Sequence, residues 1–455
     1  MEIRYIVNLM LENRSFDQVL GYRDPSISTY SNYMDGKKYT PREIPYFNGE
    51  GYGRFSHDAS LYSINTPFND SIQPNGGFVY ANKHYQYMPT LNDENPPDLV
   101  MGYFPPHPLY QHFVDNYVLC DRYFSSVPGQ TDPNRFFLLS GTSSGQVNGY
   151  LYSFDMNTMF AQTQPTILTQ LKEKGYEAKV YSNTNIPESL LLLDNLNHID
   201  NFHPLDTFFR DVATSKLPLF SHIEPAYERI NVQGRNTDQY EFELVESVYN
   251  ALRNNEEVWN HCIFILNFDE HGGYHDHIHP PQAVPPDSHS VTNTLYNFNQ
   301  YGVRVPCFII SPFVDNRVDS TVYDHTSLLS TIHKLCGINP LTNRDKYANN
   351  FLHLFTGYKY KPKYSDKIYN LPQPQTSLES ILEYVVTFGI QLHKLSGLQT
   401  NKNYIIETFS KISGMLKFGF VGVPSTSKNE IVEKLVKYFD TNPQLSKYKM
   451  LLYAI

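Results

Sequence analysis

The sequence has few cysteines, no long apolar run and no leader of ordinary form. Its four cysteines form no C-x-x-C pair, so no disulfide scaffold is indicated, and Cys262 and Cys307 lie in apolar runs where buried free thiols are expected. No stretch approaches the roughly 20 apolar residues of a membrane helix. The first ten residues lack the basic, apolar and cleavage segments of a secretory signal. We therefore expect a soluble, cytoplasmic protein, with export by another route or a trimmed mature chain left open.

An excess of basic residues is also missing. The 36 Lys and Arg against 46 Asp and Glu give a net charge of -10, which disfavours a general nucleic-acid binder. This balance does not exclude a small phosphorylated substrate, because a bound metal ion can dominate the local field. The hydrophobic content of 40% and aromatic content of 15% support a folded core.

The most informative stretch follows an apolar run that ends at Phe268. Asp269 and Glu270 come next, and then two glycines and four histidines (His271, His275, His277 and His279). Continuous apolar runs are typical of strands buried on both faces, and ligands usually bind where such strands end. A metal or catalytic site is one interpretation, and a solvated turn with surface histidines is the other.

A second strand of this kind, Tyr5 to Met10, precedes Glu12 and Asn13. A carboxylate beside an amide offers two hard oxygen donors. The same residues also suit a helix start, since Asn13 or Ser15 could cap the following segment.

A loop from Ser125 to Gln130 leads into Thr131-Asp-Pro-Asn-Arg135 and an apolar helical stretch. A helix that begins here would place Thr131 and backbone N–H groups at an anion-binding terminus. Alternatively, Thr131 or Asp132 caps the helix, with Pro133 in its first turn. The two interpretations are compatible, because a hydroxyl beside a metal is also a candidate nucleophile.

Strand patterns alternate with helix patterns along most of the chain. This alternation predicts an α/β fold with a mostly parallel sheet sandwiched by helices. We expect a catalytic domain at residues 1–357, a linker at 358–375 and a small C-terminal helical appendage at 376–455. A solvated appendage and a transient contact with a membrane surface are both left open for that appendage.

Three clusters together resemble a known family: E-N-R-S-F-D from Glu12, T-D-P-N-R from Thr131 and D-E-H-G-G-Y-H-D-H from Asp269. They are similar to the signature motifs of the phosphoesterases that include non-specific phospholipases C and related acid phosphatases. The resemblance covers about residues 3 to 350. It implies an alkaline-phosphatase-like fold and a hydrolase that acts on phosphate esters.

The resemblance also implies roles for individual residues. One divalent metal ion (Mg, Mn, Ca or Zn) would be held by Glu12, Asn13, Thr131, Asp269 and Glu270. Thr131 matches the residue that becomes phosphorylated, and Arg135 is either a phosphate contact or a structural ion pair. The other expected catalytic residues are His57, Asn134, His277 and His325.

The sequence departs from the family in one segment. Many relatives carry a His-Pro dipeptide where this chain has Gly234 to Tyr240 without a histidine, which leaves the acid for the leaving group undefined. We expect phospholipase C-like cleavage of a phospholipid to diacylglycerol and a phospho-head group. An acid-phosphatase-like monoesterase is the alternative, and a non-catalytic binding protein or a zinc site built from the four histidines is a weaker one.

Overall fold

The fold is built around one central sheet. A computed structural model of the chain describes residues 2–46, 60–65, 75–84, 97–147, 164–183, 187–225, 237–288 and 296–371. The strands of these residues are β1 (Tyr5–Leu11), β2 (Asn32–Met34), β3 (Lys37–Tyr39), β4 (Arg42–Glu43), β5 (Gly102–Tyr103), β6 (Val118–Cys120), β7 (Ala178–Ser182), β8 (Phe202–Pro204), β9 (Phe220–Glu224), β10 (Cys262–Phe268), β11 (Cys307–Ile310) and β12 (Arg317–Asp319). The helices are α1 (Phe16–Leu20), α2 (Ser60–Asn65), α3 (Phe78–His84), α4 (Pro108–Asn116), α5 (Thr131–Ser140), α6 (Ile167–Glu173), α7 (Leu205–Ala213), α8 (Thr237–Asn254), α9 (Glu256–Trp259), α10 (Thr326–Cys336) and α11 (Asn343–Tyr347).

The central sheet has eight strands in the order β12-β6-β11-β10-β1-β9-β7-β8. Every adjacent pair is parallel except those that involve β11, which runs antiparallel to both β10 and β6. The mostly parallel sheet predicted from the sequence is confirmed. The two strands that the sequence predicts to be buried, β1 and β10, lie side by side, with Leu11 opposite Phe268.

Helices cover both faces of the sheet. On one face, the rings of Tyr110 and Phe113 in α4 pack on Phe308 of β11. On the other face, Asn267 of β10 donates to the Tyr123 hydroxyl, and the Tyr123 ring contacts His325 at the start of α10. Because both faces are covered, the central strands are mostly apolar: all seven residues of β10 are buried, and Asn267 is its one polar side chain.

A smaller apolar cluster lies beside the sheet and belongs largely to the Tyr-rich segment that follows α1. It joins residues such as Tyr30, Phe78 and Met101 to Tyr274 and Val303. Tyr274 belongs to the glycine- and histidine-rich loop after β10. The segment therefore packs against the loop that follows the central strand, on the side of the sheet where the strands end.

The chain beyond residue 357 is described as far as Leu371. Residues 358–371 contain no helix or strand and pack against α8, where Asn250 donates to the Lys367 carbonyl and Ser365 donates to Glu246. The first residues of the predicted linker, 358–371, are therefore packed against the domain that contains the central sheet. The predicted appendage at 376–455 lies outside the described residues. Within the described residues, no helix combines the length and apolarity needed to cross a bilayer.

Candidate active site

The candidate site forms where β1 and β10 end side by side. Since the two strands are parallel and in register, the residues that follow them meet at one edge of the sheet. The backbone N–H of Asn13 donates to Asp269 Oδ1 at 3.1 Å. The next residue, Arg14, donates its backbone N–H to the Glu270 carbonyl at 3.0 Å. The structure therefore brings the segment of Glu12 and Asn13 against Asp269 and Glu270, the residues that the family resemblance groups together.

A glycine allows this close approach. Gly272 has a φ of +63°, and a Cβ placed on it would lie 2.5 Å from the carbonyl oxygen of Asn13. Asn13 itself has a φ of 64°, a left-handed conformation in which an L-residue is strained. The backbone conformations at Asn13 and at Gly272 therefore both depend on the close contact between the segment after β1 and the segment after β10.

Thr131 faces the same edge from the start of α5. The helix begins at Thr131 and its N-cap is Gln130, without a side-chain capping bond, so neither Thr131 nor Asp132 caps it. Instead, Thr131 Oγ1 donates to Glu12 Oε1 at 3.2 Å. The capping alternative is therefore wrong, because the hydroxyl is directed to a carboxylate of the other cluster.

Asn134 fixes the loop that precedes Thr131. Its Oδ1 accepts from the backbone N–H of Val127, and its Nδ2 donates to the carbonyls of Val127, Gly129 and Gln130 at 3.0–3.3 Å. These contacts give the buried amide a structural function. The phosphate contact expected for Asn134 stays a prediction.

Arg135 lies among the carboxylates. Its guanidinium pairs with Asp269 Oδ2 at 3.0 Å and with Glu188 Oε2 at 3.3 Å, and it donates to the Leu11 carbonyl. Arg135 therefore makes the structural ion pair, and its alternative role as a phosphate contact stays a prediction. The pKa of Asp269 is raised to about 7 overall. Burial raises it most, the nearby Arg135 charge lowers it, and the Glu270 carboxylate raises it.

More carboxylates surround this arginine than the sequence indicated. Glu224 ends β9, the neighbour of β1, and accepts from the backbone N–H of Ser189. Burial raises the pKa of Glu188 well above its ordinary value, and Asp132 raises it further while Arg135 opposes them. Buried carboxyl groups are therefore concentrated at this edge of the sheet, where a cation would favour their charged forms.

The residues present fit a divalent cation. Asp269 and Glu270 are adjacent and fully buried, and one guanidinium is shared between Asp269 and Glu188. Two such carboxylates are costly to hold charged together unless a cation neutralises them. The available donors are carboxylate, amide and hydroxyl oxygens, which suit hard divalent ions. Glu12, Asn13, Thr131, Asp269 and Glu270 stay the predicted ligands.

His325 lies next to this edge. Its Nε2 donates to the Phe268 carbonyl at 2.9 Å, and its Nδ1 lies 3.1 Å from Ser126 Oγ in the loop before Thr131. Burial lowers the pKa of His325 to about 3, so the ring is neutral at physiological pH. The contacts connect β10 to the Thr131 loop, and a role at the phosphate stays a prediction.

His277 lies in a separate network. Its Nδ1 contacts Asp17 Oδ2 at 2.7 Å and its Nε2 contacts Asp24 Oδ2 at 3.1 Å. Arg304 pairs with both Asp17 and Asp276. Both ring nitrogens of His277 are engaged by carboxylates, and its catalytic role stays a prediction.

Among the described residues, Asp17, Asp276 and His277 have possible ligand atoms within 4.8 Å of one another. This spacing could hold a metal ion. The Arg304 guanidinium already donates to both carboxylates, at 2.8 Å to Asp17 Oδ1 and at 3.1 Å to Asp276 Oδ2. Since arginine supplies the positive charge here, the cluster is an ion-pair network that ties α1 to the loop after β10.

The remaining histidines differ in their surroundings. His271 Nδ1 lies 3.2 Å from Glu270 Oε2. His275 is buried, stacks on Tyr30 and contacts the Val100 carbonyl, whereas His279 is exposed. Their separation argues against one zinc site built from all four histidines. His57 lies outside the described residues.

Comparison with known proteins assigns the chain to a family. The model of the phosphoesterase family matches residues 3–339, which is most of the chain. The chain belongs to the phosphoesterase family. As a phosphoesterase, it is a hydrolase that acts on phosphoester bonds.

Curated relatives of this phosphoesterase include plant and bacterial enzymes. Non-specific phospholipase C6 of Arabidopsis thaliana is 31% identical over 382 residues, which cover 77% of this chain and 71% of the relative. The non-hemolytic phospholipase C of Pseudomonas aeruginosa is 27% identical over 396 residues, 74% of this chain and 54% of that protein. A solved alkaline phosphatase superfamily protein from Vibrio parahaemolyticus aligns with 12% identity and a TM-score of 0.37, covering 76% of this chain and 70% of that one.

The candidate site also contains acidic residues outside the three sequence clusters. Glu188 begins a 3₁₀ turn that continues into the apolar stretch Leu190 to Leu193, and this local sequence does not indicate a contact with Arg135. Glu224 is the last residue of β9, and its position at a strand end could have indicated it. Asp238 pairs with Arg14 at 2.6 Å and ties the start of α8 to the E-N-R-S-F-D segment.

Proposed function

We propose that this phosphoesterase cleaves a phospholipid in the manner of a phospholipase C, through a covalent phosphate ester on Thr131. One observation carries the proposal: the Thr131 hydroxyl lies at the first position of a ten-residue helix and donates to Glu12. The relatives named phospholipase C support the choice of a phospholipid. The hydrolase activity itself follows from the family.

The Thr131 hydroxyl has the surroundings of a nucleophile. Its proton is directed to Glu12 Oε1 at 3.2 Å, so this carboxylate is placed to accept the proton as Oγ1 bonds to phosphorus. The first N–H groups of a helix lack intrahelical partners and favour a negative group. The substrate phosphate is therefore bound at the start of α5, the bond from phosphorus to the diacylglycerol oxygen breaks, and that oxygen takes up a proton. Water then hydrolyses the phosphothreonine ester, which releases the phospho-head group and restores the Thr131 hydroxyl.

Glu12, Asn13, Asp269 and Glu270 would hold a divalent ion beside Thr131. When bound, such an ion neutralises phosphate charge and lowers the pKa of a coordinated hydroxyl. Arg135 keeps the Asp269 carboxylate in place through its ion pair with Oδ2. Asn134 maintains the loop conformation that brings Thr131 to this position.

Substitution of the nucleophile tests the proposal. Thr131→Ala removes the hydroxyl, and we expect at least a thousandfold loss of activity with the divalent-metal content retained. Thr131→Ser keeps a hydroxyl at the same place and is the matched control, with substantial activity expected. A Thr131→Ala enzyme with near-normal turnover would remove Thr131 from the mechanism.

Product analysis tests the substrate class. With phosphatidylcholine we expect diacylglycerol and phosphocholine, whereas p-nitrophenyl phosphate should be a poor substrate. The reverse preference would identify an acid-phosphatase-like monoesterase with the same nucleophile. If neither substrate is cleaved with any of Mg²⁺, Mn²⁺, Ca²⁺ or Zn²⁺, the proposed reaction is wrong.

A further inference from the structure

Cys120 and Cys307 occupy directly opposed positions on neighbouring antiparallel strands. In the ladder between β6 and β11, Val118 is opposite Ile309 and Leu119 is opposite Phe308. Continuing this register by one residue places Cys120, the last residue of β6, opposite Cys307, the first residue of β11. Opposed residues of an antiparallel pair point to the same face, so the two thiols lie side by side, and the Cys307 thiol raises the pKa of the Cys120 thiol.

The distance that this register imposes suits a covalent bond. Opposed residues of an antiparallel pair have Cα atoms about 4.5–5.5 Å apart. Disulfides span Cα separations of about 4.4–6.8 Å. From this register and contact, we propose that Cys120 and Cys307 are a disulfide site of this protein, which closes when the chain folds in the presence of a low-molecular-weight disulfide.

The reaction is an ordinary thiol–disulfide exchange. One cysteine thiolate attacks an oxidant such as glutathione disulfide, forms a mixed disulfide and releases one glutathione thiolate. The second cysteine thiolate then attacks the protein sulfur of the mixed disulfide and releases the second glutathione. Two protein thiols are oxidised and one glutathione disulfide is reduced to two glutathiones.

The bond must form before folding is complete. Both side chains are fully buried in the folded protein. Burial raises the pKa of the Cys120 thiol well above its ordinary value, which keeps it protonated and unreactive. The folded, reduced protein should therefore resist the same oxidant that the folding chain uses.

The pair lies at the edge of the sheet that carries the candidate site. The segments that continue from Cys120 and that lead into Cys307 are also hydrogen-bonded to each other. The backbone N–H of Val305 donates to the Tyr123 carbonyl, and that of Ser125 donates to the Val303 carbonyl. The segment after Tyr123 continues into the loop before Thr131. A disulfide here would fasten the base of that loop to the strand beside β10.

Oxidative refolding of the full chain tests the proposal. The reduced chain is unfolded in urea and refolded in a mixture of reduced and oxidised glutathione. It is then alkylated, digested at low pH and analysed by mass spectrometry. We expect a peptide pair joined through Cys120 and Cys307, and a fall in free thiols from four to two in the denatured protein. The oxidised form should also unfold at a higher urea concentration, because a cross-link between distant residues constrains the unfolded chain.

Matched variants separate this pair from incidental oxidation. Cys262 begins β10 opposite Tyr5, and Cys336 ends α10, so Cys262→Ser and Cys336→Ser should still lose two thiols. Cys120→Ser and Cys307→Ser should keep all three remaining thiols, and wild-type protein refolded without oxidant should keep four. A linkage through Cys262 or Cys336, glutathione attached at single cysteines only, or four free thiols in wild type refolded to native circular dichroism would each overturn the proposal.

Discussion

The backbone N–H of Asn13 is hydrogen-bonded to Asp269 Oδ1 at 3.1 Å, although 256 residues separate the two in the chain. The pairing continues along both segments, since Arg14 donates to the Glu270 carbonyl and the Ser15 hydroxyl donates to the His275 carbonyl. The E-N-R-S-F-D and D-E-H-G-G segments thus form one unit. The geometry of each depends on the other.

Gly272→Ala should disrupt this unit. The added Cβ would lie 2.5 Å from the Asn13 carbonyl oxygen, which belongs to the backbone and has little freedom to move. We expect a large loss of activity and a loss of stability above the roughly 1–2 kcal/mol that a left-handed backbone costs an L-residue. Urea unfolding and turnover of the substrate measure the two effects.

Gly337→Ala is the control for Gly272→Ala. Gly337 has the same φ of +63°, but its added Cβ would meet nothing within 4 Å. It should show the cost of the left-handed conformation without the clash and retain activity. Equal effects of the two substitutions on activity would show that the contact with Asn13 is unimportant.

The sequence was sufficient to predict the two buried strands β1 and β10, and the family resemblance implied that the residues after them meet. β1 and β10 are buried on both faces, so each is a continuous apolar run, and polar residues at the end of each run mark the site. The antiparallel direction of β11 could not be predicted in the same way. An apolar run of four residues does not distinguish a parallel strand from an antiparallel one. Its register with β6, which places Cys120 opposite Cys307, was hidden for the same reason.

The sequence alone could not show which residues the histidines contact. His277 follows the carboxylate pair closely in sequence, yet the turn at Gly272 and Gly273 leads the chain to Asp17 and Arg304. Glu188 pairs with Arg135 from a turn whose local sequence does not indicate this contact. Such long-range ion pairs depend on the folded arrangement rather than on local spacing.

Removal of the Arg135 charge should destabilise the protein. Arg135→Gln leaves the buried Asp269 and Glu188 carboxylates without their cation. Loss of one partner of a buried pair typically costs about 3–5 kcal/mol. We expect a loss of this order in urea unfolding, partly recovered by saturating divalent metal, because the metal would neutralise the same carboxylates.

Arg4→Gln provides the comparison for Arg135. Arg4 pairs with Glu2 on the surface, and solvent screens this interaction, so its removal should leave the urea midpoint unchanged. A stable Arg135→Gln protein whose unfolding is indifferent to metal would contradict the placement of Arg135 among carboxylates that bind a metal ion.

Asn134→Asp should damage the Thr131 loop. The substitution keeps the shape of the side chain but places a carboxylate oxygen against the carbonyls of Val127, Gly129 and Gln130, which now accept from Nδ2. A buried acceptor without donors typically costs about 1–3 kcal/mol. We expect reduced stability and reduced kcat, and protection of the loop against amide exchange should fall. Normal exchange together with a raised KM would instead favour the predicted phosphate contact.

The protonation of His277 should make stability depend on pH. Burial lowers the pKa of His277, but its hydrogen bond to Asp17 and the charges of Asp17 and Asp276 raise it above 6.5 overall. The folded protein therefore holds the proton more tightly than the unfolded chain. The resulting stability is fully present below about pH 6.5 and is lost as the pH rises through the folded-state pKa of His277.

His277→Asn should remove this contribution. The asparagine amide can still donate to Asp17 but has no proton to lose in this range. Glu241 also makes stability fall with rising pH, because burial raises its pKa to about 7, and this slope is common to both proteins. The wild-type minus variant difference in urea midpoint, measured from pH 5 to pH 9, should therefore be largest at low pH and shrink above pH 6.5. A difference that stays constant across this range would show that His277 is not held as an imidazolium by Asp17.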